Sequence, residues 1–176
     1  MTVNISAEHK AIDQTLDTYR DLLDTLTDEQ FAASPKAGGW SIAEIYSHIL
    51  QATLVASIAV ERCINGTCET TRKGLSLMGR FVLFFRRFPF RVATPIVEAS
   101  KMTVTKISKE DARNLIIKCR RRIDAITPHI ADESGIHKIK HSRLGMLNGK
   151  QWFKFTLIHL KHHLKQIDRI KNKFSD

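Results

Sequence analysis

The chain has 176 residues, enough for one domain with a real hydrophobic core. Its 43% apolar content excludes a disordered chain, and no stretch approaches the roughly 20 uncharged apolar residues of a membrane span. The formal charge of +10 admits nucleic acid, anionic lipid or acidic ligands. However, the bases are dispersed through "RKGLS", "FRRFPFR", "KCRRRID" and "KIKHSR", which favours a solubilising surface over a specific nucleic-acid face.

The opening "MTVNISAEHKAIDQ" lacks a basic segment followed by an apolar run, so no secretory signal is expected. Cys63, Cys68 and Cys119 are odd in number and lack paired spacing. That pattern fits reduced thiols in a cytoplasm rather than a disulfide framework.

Residues 6–26 read as the first helix, with Ser6 as N-cap and Ile12, Leu16, Tyr19, Leu23 and Leu26 recurring at three- and four-residue steps. "TDEQFAASPKAGG" breaks that pattern. A second helix opens at Ser41 with Glu44 three positions on, a capping-box signature, and runs to about Asn65. Its inward stripe is Ile42, Ile45, Ile49, Ala52, Ala56 and Cys63. Residues 74–88 form a further amphipathic segment, with Leu77, Phe81, Phe84, Phe85 and Phe88 on one face and Arg80, Arg86 and Arg87 off it. Prolines 89 and 95 end any helix there. Ser108 caps a helix over 108–127 whose first turn carries Glu110 and Asp111, and whose inner side carries Leu115, Cys119, Ile123 and Ile126. Residues 128–148 read as a long loop containing "HSRLG", and the last helix spans about 149–174. With no sustained period-two alternation, the fold class is all-α: a four-helix bundle with an extra amphipathic helical segment around 74–90.

The last helix carries "HLKHHLKQ" at 159–166, three of the chain's eight histidines. On a projection with Phe155 at zero, Lys150, Lys154, Lys161, Lys165 and Asp168 gather between about −80° and −140°, the predicted solvent side. His159 at about 40° and His163 at about 80° straddle the opposite direction, beside Trp152 and Ile170. His162 lies at about −20° and Gln166 at about 20°. Two inward histidines at i and i+4 are one turn apart and can reach one ion. The alternative is a pair of core histidines satisfied by hydrogen bonds. His48, on the inward edge of the second helix, adds a third imidazole, with Glu44 one turn before it and Gln51 most of a turn after. Three histidines from two helices suit Zn²⁺, Ni²⁺ or Fe²⁺ and leave a position open. A closed structural zinc site usually fills four positions, often with cysteine, and the sequence offers no such grouping.

"GGWSIAEIYSHILQ" (38–51) together with "HSRLGMLNGKQWFKFTLIHLKHHLKQI" (141–167) resembles the DinB-like superfamily, the DinB/YfiT-like metalloenzymes, and most of all a bacterial branch of it. The shared features are Gly-Trp-Ser opening the second helix, the histidine seven residues after that serine, a His-x-x-Leu-Gly loop and a terminal His-x-x-His-His-x-x-Gln. The resemblance implies a bundle of four main helices holding a divalent metal on His48, His159 and His163. His162 and Gln166 match the pattern as pocket residues around those ligands. It also implies frequent homodimers, and an activity like that of relatives that are S-transferases or isomerases using a low-molecular-weight thiol. The phenylalanine- and arginine-rich 74–91 segment departs from the simplest family pattern, and it is the part that shapes the pocket rim.

An open His₃ ion lowers the pKa of bound water from about 15.7 toward about 7, or holds a thiolate ready for attack. Glu44 either orients His48 and acts as a base, or simply caps its helix. Trp40 and Trp152 are core or pocket-wall residues. His141 is either a loop residue near the open metal face or a turn hydrogen-bonder. Cys119 sits on a buried stripe and reads as structural. No Ser-His-Asp order, phosphate loop or dinucleotide fingerprint stands out. Three functions follow as expectations: a metal-dependent thiol S-transferase or hydrolase acting on a small molecule; a non-catalytic bundle that binds a partner through 74–91; and a membrane-surface or nucleic-acid binder using "RRFPFR" and "KCRRR".

Overall fold

A computed structural model describes residues 3–35, 38–89 and 104–172. Helix α1 (Ile5–Asp24) opens two residues before the expected start, because the Asn4 side chain accepts from the Ala7 N–H at 3.0 Å and caps it in place of Ser6. The short α2 (Asp28–Ala32) sits inside the stretch read as a breaker and is closed by a reciprocal Thr27–Gln30 box. Helix α3 (Ile42–Ile64) is capped by the expected Ser41–Glu44 box. After a two-residue strand β1 (Glu69–Thr70) come α4 (Leu77–Phe85) and α5 (Lys109–Ile126), the latter capped by Ser108 and Asp111. A 3-10 turn at Thr127–His129, strands β2 (His137–His141) and β3 (Gly145–Leu147), and α6 (Gly149–Asn172) complete the described chain.

The four long helices form the bundle. Both α1 and α3 pack against α5 and α6, so α1 faces α3 across one diagonal and α5 faces α6 across the other. Two tyrosines tie the centre. The Tyr46 hydroxyl donates to the Tyr19 carbonyl at 2.7 Å, and the Tyr19 hydroxyl donates to the Leu160 carbonyl at 2.9 Å. Both rings are fully buried, edge to face at 5.2 Å. By length and hydropathy α3 is apolar enough to cross a membrane, unlike the sequence expectation, but most of it is buried within the bundle.

Three expectations fail for identifiable reasons. The predicted 128–148 loop holds a hairpin: Ile139 pairs with Leu147, Lys140 with Met146 and His141 with Gly145, while Glu69 and Thr70 pair along the other edge of β2. Strands this short show no measurable alternation. Gly145 turns the hairpin at φ +88°, and a Cβ there would lie 2.5 Å from the Ser76 nitrogen.

Among the described residues, the 74–90 segment contributes nine helical residues, and its buried side is Gly79, Val82 and Leu83 rather than the phenylalanine face. A Cβ at Gly79 would collide with the Leu144 carbonyl, so close approach to the hairpin decides which side faces in. Leu77 and Phe84 are 84% and 65% exposed. Arg86, in the left-handed region at φ 54°, ends the helix. Residues 90–103, with Pro95 and the end of "RRFPFR", lie outside the described residues. Finally, Lys154, assigned to the solvent side of α6, is only 4% exposed. Residues 152–158 of α6 are buried all round because α1, α3 and α4 cover that half of the helix.

Candidate metal centre

Helix α6 starts from a cap that the sequence reading missed. Asn148 N–H donates to Gln151 Oε1 at 3.1 Å, and Gln151 N–H donates to Asn148 Oδ1 at 2.9 Å. This fixes where the helix begins and therefore which turn holds His159 and His163. His48 lies near the start of α3 and packs on those mid-helix residues of α6, while Cys63 near the end of α3 meets Gly149 at the start of α6. The two helices run antiparallel, and the three rings meet at one level of the bundle.

One nitrogen from each of His48, His159 and His163 lies within 4.8 Å of the others. Ring centroids stand 5.4 Å apart for 48–159, 5.0 Å for 48–163 and 4.7 Å for 159–163. The Nε2 atoms of His159 and His163 are 3.0 Å apart. Gln166 Oε1 lies 2.9 Å from His163 Nδ1 and, as a carbonyl oxygen, accepts its proton. That leaves the His163 Nε2 lone pair facing the centre. His48 Nδ1 is buried and finds no hydrogen-bond partner among the described residues. Buried polar nitrogens are rarely left so, and this one suits a missing ligand.

The surroundings favour neutral rings. Burial, then His48 and His162, pushes His163 down to about 3. His159 is held well below its ordinary value by burial first and by His163 and His48 next. Burial, then His162, lowers His48. All three offer lone pairs near pH 7, the state a metal requires.

The remaining expected residues divide. Gln166 touches His163 directly, and the His162 ring stands edge-on to His163 at 5.1 Å with Phe88 against it at 4.7 Å. Trp40 lies 4.9 Å from His48, and Phe155 stacks on His159 at 5.2 Å. The His141 ring packs on Phe155 at 4.8 Å and on Trp152 at 5.3 Å. His141 Nδ1 accepts from the Arg143 and Leu144 N–H groups at 3.2 and 3.3 Å, as a turn hydrogen-bonder does. Trp152 Nε1 donates to the Ile139 carbonyl at 3.3 Å and pins the hairpin to α6. Glu44 acts as a cap: its Oε2 accepts from the Ser41 N–H at 2.8 Å and the Ser41 hydroxyl at 2.7 Å. Gln51 donates to the Ser47 hydroxyl at 2.9 Å within its own helix.

A second group, His9, Asp13 and Asp124, also brings ligand atoms within 4.8 Å of one another. Its carboxylates already have partners: Arg120 pairs with Asp13 and Asp17, and His9 Nε2 lies 2.8 Å from Asp124. It reads as a surface ion-pair network between α1 and α5. Sequence reasoning missed it because its members come from two helices and carry no motif.

A family model described as the DinB superfamily matches residues 11–167. YfiT from Bacillus subtilis, described as "a probable metal-dependent hydrolase with an unusual four-helix bundle topology", matches in fold. The TM-score is 0.68 at 12% identity, over 97% of this chain and 87% of that one. No curated protein sequence matches.

Proposed function

Because the chain belongs to the DinB superfamily, we propose that His48, His159 and His163 hold one divalent transition metal (Zn, Ni or Fe) in a metal-dependent enzyme of hydrolase or thiol S-transferase type. The observation that carries this reading is the convergence of three neutral imidazoles, one with an unpartnered buried nitrogen. Ligands sharing an ion at about 2.1 Å lie at most about 4.2 Å apart. The three donor nitrogens lie within 4.8 Å of one another, close to that limit. The description of YfiT as metal-dependent supports the same reading.

When bound, a divalent ion supplies Lewis acidity that makes water or a thiol nucleophilic near neutral pH. The chain's own residues do the rest. Gln166 holds the His163 tautomer, and Phe155 fixes the His159 plane. Trp40 and Phe88 shield the histidines from bulk water. The net charge of +10 favours an anionic small molecule, or an anionic thiol cosubstrate, in the cytoplasm.

Elemental analysis of protein purified without added metal tests this: about one transition metal per chain, lost in His159→Ala. Turnover of activated esters, amides and electrophiles with several low-molecular-weight thiols then separates hydrolase from transferase. Protein that stays metal-free after incubation with Zn²⁺ or Ni²⁺ contradicts the proposal.

A second reading, a partner-binding bundle or homodimer, draws on the exposed α4 face, where Leu77, Phe84 and Phe85 stand out to solvent. It is favoured if metal loss leaves the cellular role intact.

A further inference from the structure

Helix α3 ends on an Asn65–Gly66 turn, with Gly66 at φ +65°. The chain folds back there, and the Thr67 N–H donates to the Arg62 carbonyl at 3.0 Å. The reversal lays Cys68 beside Cys63, their Sγ atoms 3.8 Å apart. On a continuous helix residues five apart point about 140° away from each other. The helix stop, and not the spacing, creates the pair. Cys63 is buried and Cys68 half-buried, so solvent reaches the second sulfur first.

We propose that Cys63 and Cys68 form a redox modification site, a dithiol that hydroperoxides convert reversibly to an intramolecular disulfide. The Cys68 thiolate attacks a peroxide oxygen, breaking the O–O bond; it becomes a sulfenic acid, and the leaving hydroxide takes up a proton as water. The Cys63 sulfur then displaces hydroxide from the Cys68 sulfur, and its own proton leaves with that group as a second water. In sum two thiols lose two hydrogens and two electrons, and one hydrogen peroxide is reduced to two waters. Two molecules of a small thiol restore the dithiol by successive exchange, by way of a mixed disulfide, and leave as their own disulfide.

The sulfurs must close from 3.8 Å to about 2.05 Å. Cys68 lies in non-helical chain between the turn and β1, where side-chain rotation and a small backbone shift supply that movement. Burial, then the Cys68 thiol and Glu133, pushes Cys63 up to about 12, which leaves the first attack on peroxide to the more accessible Cys68. The pair lies fifteen residues from His48, about 22 Å along α3. It therefore stands whether or not the histidines bind a metal.

The test is intact mass and thiol counting on the full chain, before and after treatment with excess hydrogen peroxide. The expected result is a loss of two hydrogens in mass and a drop from three alkylatable thiols to one in denaturant. Peptide mapping should join 63 to 68, and dithiothreitol should reverse the change. Cys119→Ser keeps the bridge; Cys68→Ser abolishes it and leaves Cys63 alkylatable. Three persistent thiols, a bridge to Cys119, covalent dimers, or oxygen added at Cys68 without a bridge would each overturn the proposal.

Discussion

Gln166 Oε1 sits 2.9 Å from Nδ1 of His163, on the side of the ring away from His159. One turn of α6 thus carries both a candidate ligand and the group that sets its tautomer. Partners of this kind usually change metal affinity 10–100-fold. Gln166→Ala should weaken Zn²⁺ binding by about that factor, measured by chelator competition, with the helical content unchanged. Unaltered affinity would mean that Gln166 only fills space.

Acid should destabilise the metal-free protein. His163 is held at about 3 and His141 at about 4, the latter by burial and then by Arg143, both below the ordinary value of about 6.5. As pH falls below that value, the unfolded chain takes up protons that the folded chain refuses. Stability is therefore full above about 6.5 and falls toward 4 and then 3. Urea midpoints should be lower at pH 5 than at pH 7.5; a flat or opposite profile would be inconsistent with neutral buried rings.

The Tyr19 hydroxyl donates to Leu160, the residue after His159, from a fully buried position. Tyr19→Phe removes that bond without changing the ring. Denaturant unfolding should show a loss of about 1–2 kcal/mol. Metal stoichiometry should be unchanged, since caps and packing also position α6.

Phe84 and Phe85 stand exposed on α4. Phe84→Ser should leave monomer stability within about 0.5 kcal/mol. If this face joins two copies, sedimentation velocity will show the variant shifted to monomer; an unshifted dimer places the interface elsewhere.

The helices were legible where a local rule governs them. Ser41 and Glu44 close their box as expected, Ser108 caps its helix as expected (with Asp111 closing a box there too), and the inward stripe Ile12–Leu16–Tyr19–Leu23 is buried. The four-residue step from His159 to His163, set against the lysines, was enough to aim both rings inward. The hairpin was not legible, because three paired positions are held by long-range contacts with residues 74–76 and by Trp152.

Lys154 was misplaced because a projection assumes one wet side, whereas that half of α6 has none. Which side of α4 faces in was not legible, because a glycine, invisible to a hydrophobic pattern, chose the contact surface. Glu44 had two readings, and its two bonds to Ser41 select the cap.

The most direct measurement is anomalous diffraction from crystals of the untreated protein, recorded on both sides of the absorption edge of the metal found. The account predicts one strong peak about 2.0–2.2 Å from a nitrogen of each of His48, His159 and His163. No peak there after soaking in Zn²⁺ or Ni²⁺, or a peak at His9, Asp13 and Asp124 instead, would contradict it.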